Sequence, residues 1–452
     1  QWSAVSGRRS AAVSWRSTAF AALPAAVMLA VAAVSRLNYG YRHALPAIPF
    51  LMVLGGLGVA WLWELPAARG RAARLALLLA VGWTAVAALR THPDHLAYFN
   101  ELARGQGQRL LGDSNLDWGQ DLNQLGAYAA EVAATTGRPL FFSYTGIADR
   151  AHYGLRGPSL IERFNDGDVW AAANPPAGRY AINASDWQGT GLVLGMLAEI
   201  DLLVWFRHRA PLTTLGGSIF VYDVVAAVEG QWMAHCAAPG RLLSDAEAER
   251  LVGRAGLRHV TFDCQTSWLF PGNAPGWYVL PPGELWSEAW LGAMGPEVVY
   301  RHRANAYGPE YVIAYWPGCE APSPQPSPTG RGSATPAPLL PCSPALIPHT
   351  AESDDTAPAT LAAYGARGAE WVTLWAVREA TAAPLSLQAH LLAADGARQV
   401  ADGLGFSADQ WRPGDSFMQR HRFAAPGVAL ETGLYNYATL ERIGPTMTLT
   451  AE

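Results

Sequence analysis

Three stretches without charged side chains crowd into the first ninety residues: Ser17–Ser35, Ala44–Trp63 and Leu75–Leu89. They are fenced by Arg16 and Arg36, by His43 and Glu64, and by Arg74 and Arg90. As helices the first two reach about 28–30 Å, the thickness of a hydrocarbon core. The third reaches about 23 Å and needs its flanking arginines to snorkel. A hairpin of buried soluble helices is the competing reading. The whole chain favours membrane: only 15% of its 452 residues are charged, and its mean hydropathy is +0.07. That is too apolar for a disordered or wholly soluble chain. Its length allows two to four domains. A net charge of −5 argues against a nucleic-acid partner. All 32 basic residues are Arg, which excludes Schiff-base and P-loop lysine chemistry.

Arginine placement suggests an orientation. Arg8, Arg9 and Arg16 precede the first stretch, and Arg69, Arg71 and Arg74 lie between the second and third. Arg36 and Arg42 sit in the intervening loop, and only Arg90 follows the third stretch closely. The richer flanks belong inside, so everything after about residue 90 is expected outside the cytoplasm. The chain begins at Gln1 without a signal-peptide cleavage pattern and reads as the C-terminal portion of a longer membrane protein.

Two strings carry a resemblance. One is Asn38-Tyr39-Gly40-Tyr41-Arg42-His43-Ala44-Leu45-Pro46 with the Pro49-containing span behind it. The other joins His92-Pro93-Asp94-His95-Leu96-Ala97-Tyr98-Phe99-Asn100-Glu101-Leu102 to Asp113-Ser114-Asn115-Leu116-Asp117-Trp118-Gly119-Gln120-Asp121-Leu122. They resemble the last membrane helices, and the join to a periplasmic domain, of bacterial polyprenyl-phosphate-dependent glycosyltransferases. These are the family 39, protein-mannosyltransferase-like proteins of the GT-C class. The resemblance implies sugar transfer from a polyprenyl-phosphate carrier to an extracytoplasmic acceptor, in the bacterial inner membrane. It also implies around a dozen spans and a catalytic acidic residue in the first outer loop. Neither matches the opening of this chain, so the portion in hand is expected to be inactive alone. A membrane-tethered glycan-binding or scaffold protein is the alternative.

The resemblance implies that the basic loop residues, Arg42 and His43 with Tyr41, hold the lipid-linked phosphate at the outer face; ordinary interface anchoring is the competing reading. Asp113, Asn115 and Asp117 present oxygens at alternate positions but fail the EF-hand pattern, because Trp118 stands where Gly is needed. Asp117 and Gln120 instead suggest a capping box for a helix carrying Leu122, Leu125, Ala129 and Val132 on one face. Strands expected at Leu110–Gly112 and Leu140–Tyr144 make this a β-loop-α-β unit, with the polar loop at the carboxyl edge where an acceptor or glycan would bind. Arg179–Ala184 and Ser218–Asp223 read as further strands, with a helix near Gly191–Phe206. Trp187 follows a strand end and is a candidate for stacking on a sugar, against plain packing. Asn183-Ala184-Ser185 fits the glycosylation sequon, accidentally for a bacterial chain.

The expected order is therefore multidomain: a transmembrane α-helical segment over 1–90, an extracytoplasmic α/β domain over 91–230, and a small α+β unit over 231–319. A Pro/Ser/Thr-rich linker over 320–358 then leads to a β-sandwich over 359–452. Cys236 and Cys264 are expected to pair within the small unit, while Cys319 and Cys342 flank the linker. No cofactor is expected, and no metal, since C-x-x-C spacing is lacking. In the sandwich, Leu385, Leu387, Ala389 and Leu391 alternate with polar residues before an Asp395-Gly396 turn. Trp371–Val377, Ser416–Phe423 and Leu430–Tyr437 add strands, and Trp375 or Trp411 would be the aromatic platform for a carbohydrate.

Overall fold

The computed structural model describes residues 15–35, 40–112, 115–166, 170–189, 201–292, 295–304, 308–318, 346–349 and 357–450. These fall into two compact units. One lies within Gln1–Gly167, Gly178–Leu197 and Pro211–Asp223, the other within Asp168–Ala177, Ala198–Ala210 and Val224–Glu452.

The first unit opens with three helices: α1 (Trp15–Val34), α2 (Ile48–Glu64) and α3 (Ala67–Arg90). Pro49 sits in the first turn of α2, where its missing N–H costs nothing. Helix α3 exceeds the apolar stretch that marked it: its 24 residues rise about 36 Å, so length does not limit it. Its early arginine, Arg74, donates to the carbonyl of Trp63 at 2.7 Å and lies over that indole, tying the turn between α2 and α3. Two runs, Tyr41–Trp63 and Arg69–Arg90, are long and apolar enough to cross a membrane, and Thr18–Val34 is a shorter apolar helix. Only 6% and 0% of their most apolar windows are buried. Side chains such as Phe20, Met52 and Leu78 stand outward at 81%, 71% and 69% exposure. A continuous apolar face of that kind suits lipid, since helices satisfy their own backbone groups.

Beyond them a four-stranded sheet forms in the order β1-β2-β4-β3, from β1 (Leu140–Phe142), β2 (Gly178–Asn183), β3 (Thr213–Leu215) and β4 (Ile219–Val224). Strands β1 and β2 are parallel, and β3 and β4 form an antiparallel hairpin. Helix α4 (Leu122–Thr135) packs Leu122 and Leu125 into a core with Phe142, Ala181, Ile219 and Val221. Two local expectations fail. Leu110–Gly112 is not a strand: a helical turn covers Gly107–Leu110, and the Gln188 amide donates to the carbonyl of Leu111 at 2.9 Å, where a ladder partner would be. Asp117 and Gln120 do not box the helix either. The Asp117 carboxylate accepts from the Gly119 N–H at 2.9 Å and the Gln120 side chain from the Trp118 N–H at 2.8 Å, closing a turn before the helix. Gly119 adopts φ +79° there, and a Cβ would meet the Thr145 carbonyl at 2.4 Å. The helix that was expected near 191–206 lies largely outside the described residues; Val204–Arg207 is helical.

The second unit contains a mixed sheet in the order β6-β5-β8-β10-β9. Its strands are β5 (Trp232–Cys236), β6 (Arg258–Phe262), β8 (Gly276–Leu280), β9 (Glu297–His302) and β10 (Tyr311–Trp316). Strand β5 is parallel to both β6 and β8. Helix α5 (Asp245–Val252) makes the crossover from β5 to β6, started by a Ser244/Glu247 capping box. A disulfide joins Cys236 to Cys264, while Cys319 and Cys342 lie outside the described residues.

Two further sheets contribute buried residues to one core. One has the order β15-β14-β17-β18, from β14 (Leu385–Leu392), β15 (Arg398–Val400), β17 (Ala429–Asn436) and β18 (Arg442–Thr450). The other has the order β11-β12-β13-β16-β7, from β11 (Ile347–Pro348), β12 (Ala359–Arg367), β13 (Glu370–Val377), β16 (Ser416–Arg422) and β7 (Ser267–Phe270). Strand β7 comes from the region expected to be a separate α+β unit, and β11 from the expected linker. The stretches expected as a small unit and as a sandwich thus share a sheet and one core, in which Trp268, Tyr278, Leu374 and Phe417 are all buried. Trp375 and Trp411 are 1% and 2% exposed, so neither offers a platform to a sugar.

Candidate functional site

The polar residues of the first unit gather at the carboxyl ends of β1 and β2, the edge where open α/β sheets bind ligands. Four chain segments supply them. The turn before α4 brings Asp117 and Asp121; the ends of β1 and β2 bring Ser143, Asn183 and Asp186; the start of β4 brings Ser218. Each side chain is at least nine-tenths buried. Ser218 donates its hydroxyl to Asp121 Oδ2 at 2.6 Å. That bond draws the Asp121 carboxylate away from the helix it precedes, which is why α4 begins without a side-chain cap. The Asn183 amide donates to Asp186 Oδ2 at 3.0 Å, while the Asp186 N–H donates back to Asn183 Oδ1 at 2.7 Å, capping the short helix Ala184–Gln188. Asn183 is 1% exposed, which removes it as a glycosylation acceptor.

Burial is the first cause of the electrostatics. It pushes the Asp186 carboxyl up to about 6 against the lowering effect of Ser143 and Asn183, and the neighbouring Asp117 charge pushes the same way. Asp117 is raised by burial, offset in part by the Gly119 N–H and Thr145. Asp121 is raised by burial, and the charges of Asp94 and Asp117 add to it while Ser218 opposes. Asp117 Oδ2 is buried with no hydrogen-bond partner among the described residues. Burial is thus the largest cause at all three carboxyls, and a neighbouring carboxylate adds to it at Asp121 and Asp186.

The sign of the pH effect follows. Folding favours the neutral Asp186 carboxyl, so its contribution is complete below pH 3.8 and is lost as the pH rises toward about 6. Asp186→Asn mimics the neutral form. Relative to the parent, the variant is expected to gain roughly 2 kcal/mol between pH 4 and pH 7. Thermal or urea unfolding of both proteins in detergent across that range measures the gap. A gap that does not change with pH contradicts the assignment.

The second group lies at the end of the helices. Tyr41–Ala44 forms one helical turn leading through Leu45–Ala47 into α2. The Tyr41 N–H donates to Asn115 Oδ1 at 2.9 Å, and the Asn115 amide donates to the Gly112 carbonyl at 2.8 Å. Gly40 holds φ +62° with the Asn115 side chain against it; a Cβ would come within 2.3 Å. Two stretches 74 residues apart therefore meet, and the exposed Arg42 and partly exposed His43 flank the junction.

Among the other expected site residues, Asp113 lies outside the described residues. Trp187 is 8% exposed, donates its indole N–H to the Tyr222 hydroxyl at 2.8 Å and packs edge-on to Phe220. It is a core aromatic, not a sugar platform. Asp121, Asp186, Ser143 and Ser218 were not singled out from the sequence; the N-x-x-D spacing of Asn183 and Asp186 was the available signal. Compared with family models, with curated proteins and with solved structures, the chain matches none.

Proposed function

We propose that this chain is the membrane-embedded C-terminal portion of a glycosyltransferase that takes its sugar from a polyprenyl-phosphate carrier and delivers it outside the cytoplasm of a bacterial cell. The observation that carries the reading is the bond from the Tyr41 N–H to Asn115. It brings the turn that leads into α2 against the domain that follows α3, a contact that supports three crossings of one bilayer. That supports a multi-pass arrangement in the inner membrane with the later domains outside. It also sets Arg42 and His43 at the mouth of the lipid-facing helices, beside the turn that leads to Asp117 and Asp121. A guanidinium there meets a lipid-linked phosphate with paired N–H donors, while the carrier chain lies along the exposed apolar helices. The partners are thus the carrier-linked sugar and membrane lipid. The buried Trp375 and Trp411 give the glycan-binding alternative no support.

Binding to lipid nanodiscs tests this. The full chain is expected to retain a polyprenyl monophosphate at least ten times better than the corresponding polyprenol. Arg42→Gln is expected to erase most of that preference, a loss of about 1.5–3 kcal/mol for a charge-assisted bond. Equal retention of phosphate and alcohol, or a preference that survives Arg42→Gln, overturns the proposal.

A further inference from the structure

In the second unit two histidines and an aspartate converge on one point. His235 on β5 and His259 on β6 lie on neighbouring parallel strands, offset by two rungs, and Asp245 opens α5 above them. His235 Nε2 and His259 Nδ1 are 2.9 Å apart. Asp245 Oδ1 is 2.9 Å from His259 Nδ1 and 3.7 Å from His235 Nε2. All three ligand atoms lie within 4.8 Å of one another. One point can then sit about 2.0–2.1 Å from all three, the length of zinc bonds to imidazole and carboxylate.

The hydrogen bonds around the cluster fix which atoms face it. Arg241 donates to His235 Nε2 at 2.9 Å, so that nitrogen carries a lone pair and the ring proton is on Nδ1. His259 Nε2 faces Glu249 Oε1 at 3.3 Å, which leaves Nδ1 as the ring nitrogen turned toward the cluster. Two ring nitrogens and a carboxylate oxygen thus converge on one point, an arrangement that suits a cation. The Arg241 guanidinium, which also pairs with Asp245, fills that role here. It is a flexible, partly exposed side chain, whereas His235 is 0% exposed and held in the sheet.

We propose that His235, His259 and Asp245 form a site for a divalent transition metal, zinc by its donor set, which displaces Arg241 and uses Glu249 to orient His259. Asp245 is half exposed, which leaves a fourth position open to water. The absence of C-x-x-C spacing is no obstacle, because the parallel register assembles the ligands.

The test is calorimetric titration of the untagged, chelator-stripped full chain in detergent with zinc ion. One equivalent is expected, with Kd at or below about 1 μM. Asp245→Asn and His259→Gln should each weaken it at least tenfold, and Arg241→Ala, which removes the competitor, should tighten it. Asp245 is exposed enough for its variant to fold, and an unchanged thermal midpoint without zinc verifies that. No stoichiometric binding overturns the proposal. So does an equivalent that survives both ligand substitutions, as the His92–His95 pair would give, or one that Arg241→Ala leaves unchanged or weakens.

Discussion

Asp415→Ala is expected to cost the second unit about 3–5 kcal/mol, enough to leave much of it unfolded at moderate temperature. Asp415 is 1% exposed and receives both Arg258 amino groups at 2.6 Å. It also accepts the N–H groups of Gly272 at 2.9 Å and Arg412 at 2.8 Å. Truncation strands a mostly buried guanidinium and removes the acceptor of two backbone donors, and each such loss is expensive without water nearby. Asp415→Asn keeps the shape and some acceptor capacity, so it should lose less. Denaturant unfolding followed by tryptophan fluorescence is the natural measurement, because the core of this unit is dense in buried tryptophan. A loss below about 1 kcal/mol for the alanine variant shows that the network is not what ties residue 258 to residue 415.

Cys236→Ala/Cys264→Ala should be nearly as damaging. The bridge closes a segment with a sequence separation of 28 between two nearly inaccessible positions. Restoring that loop's freedom to the unfolded chain costs about 3–4 kcal/mol in the chain-entropy account. The cross-link spans the β5–α5–β6 crossover, so the loss should appear first as protease sensitivity between residues 237 and 257. Unfolding of the double variant, and of the parent under reductant, measures it. Equal midpoints for oxidised parent and double variant contradict the expectation.

The parts of this fold that could be read from sequence are those decided within a few residues. The three apolar helices announce themselves because a charge-free run of such length has few other solutions. Strand β14 was legible because Leu385, Leu387, Ala389 and Leu391 alternate, and all four are buried on one face. Partnerships across distant segments left no local trace. Strand β7 is Ser267 followed by three large apolar residues, too short to show a period, and its partner β16 lies far along the chain. The Asp117–Gln120 spacing looked like a capping box, but each side chain accepts an N–H two residues away and closes the turn that precedes the helix. The aspartate cluster needs four segments to meet, and the His235–His259 pair needs the register of two parallel strands. Asn115 was singled out for its oxygen, but its use, to hold the Tyr41 N–H, depends on an approach that only Gly40 permits.

Strand β7 has a consequence for how the protein is made. Its Ser267 bonds to Gln419, 152 residues downstream, so the second unit cannot close its sheet until nearly the whole polypeptide has left the ribosome. During that wait a sticky ribbon edge stands unprotected. Any product terminated in the proline-rich stretch would keep that edge for good and would be drawn into aggregates or cleared by quality control.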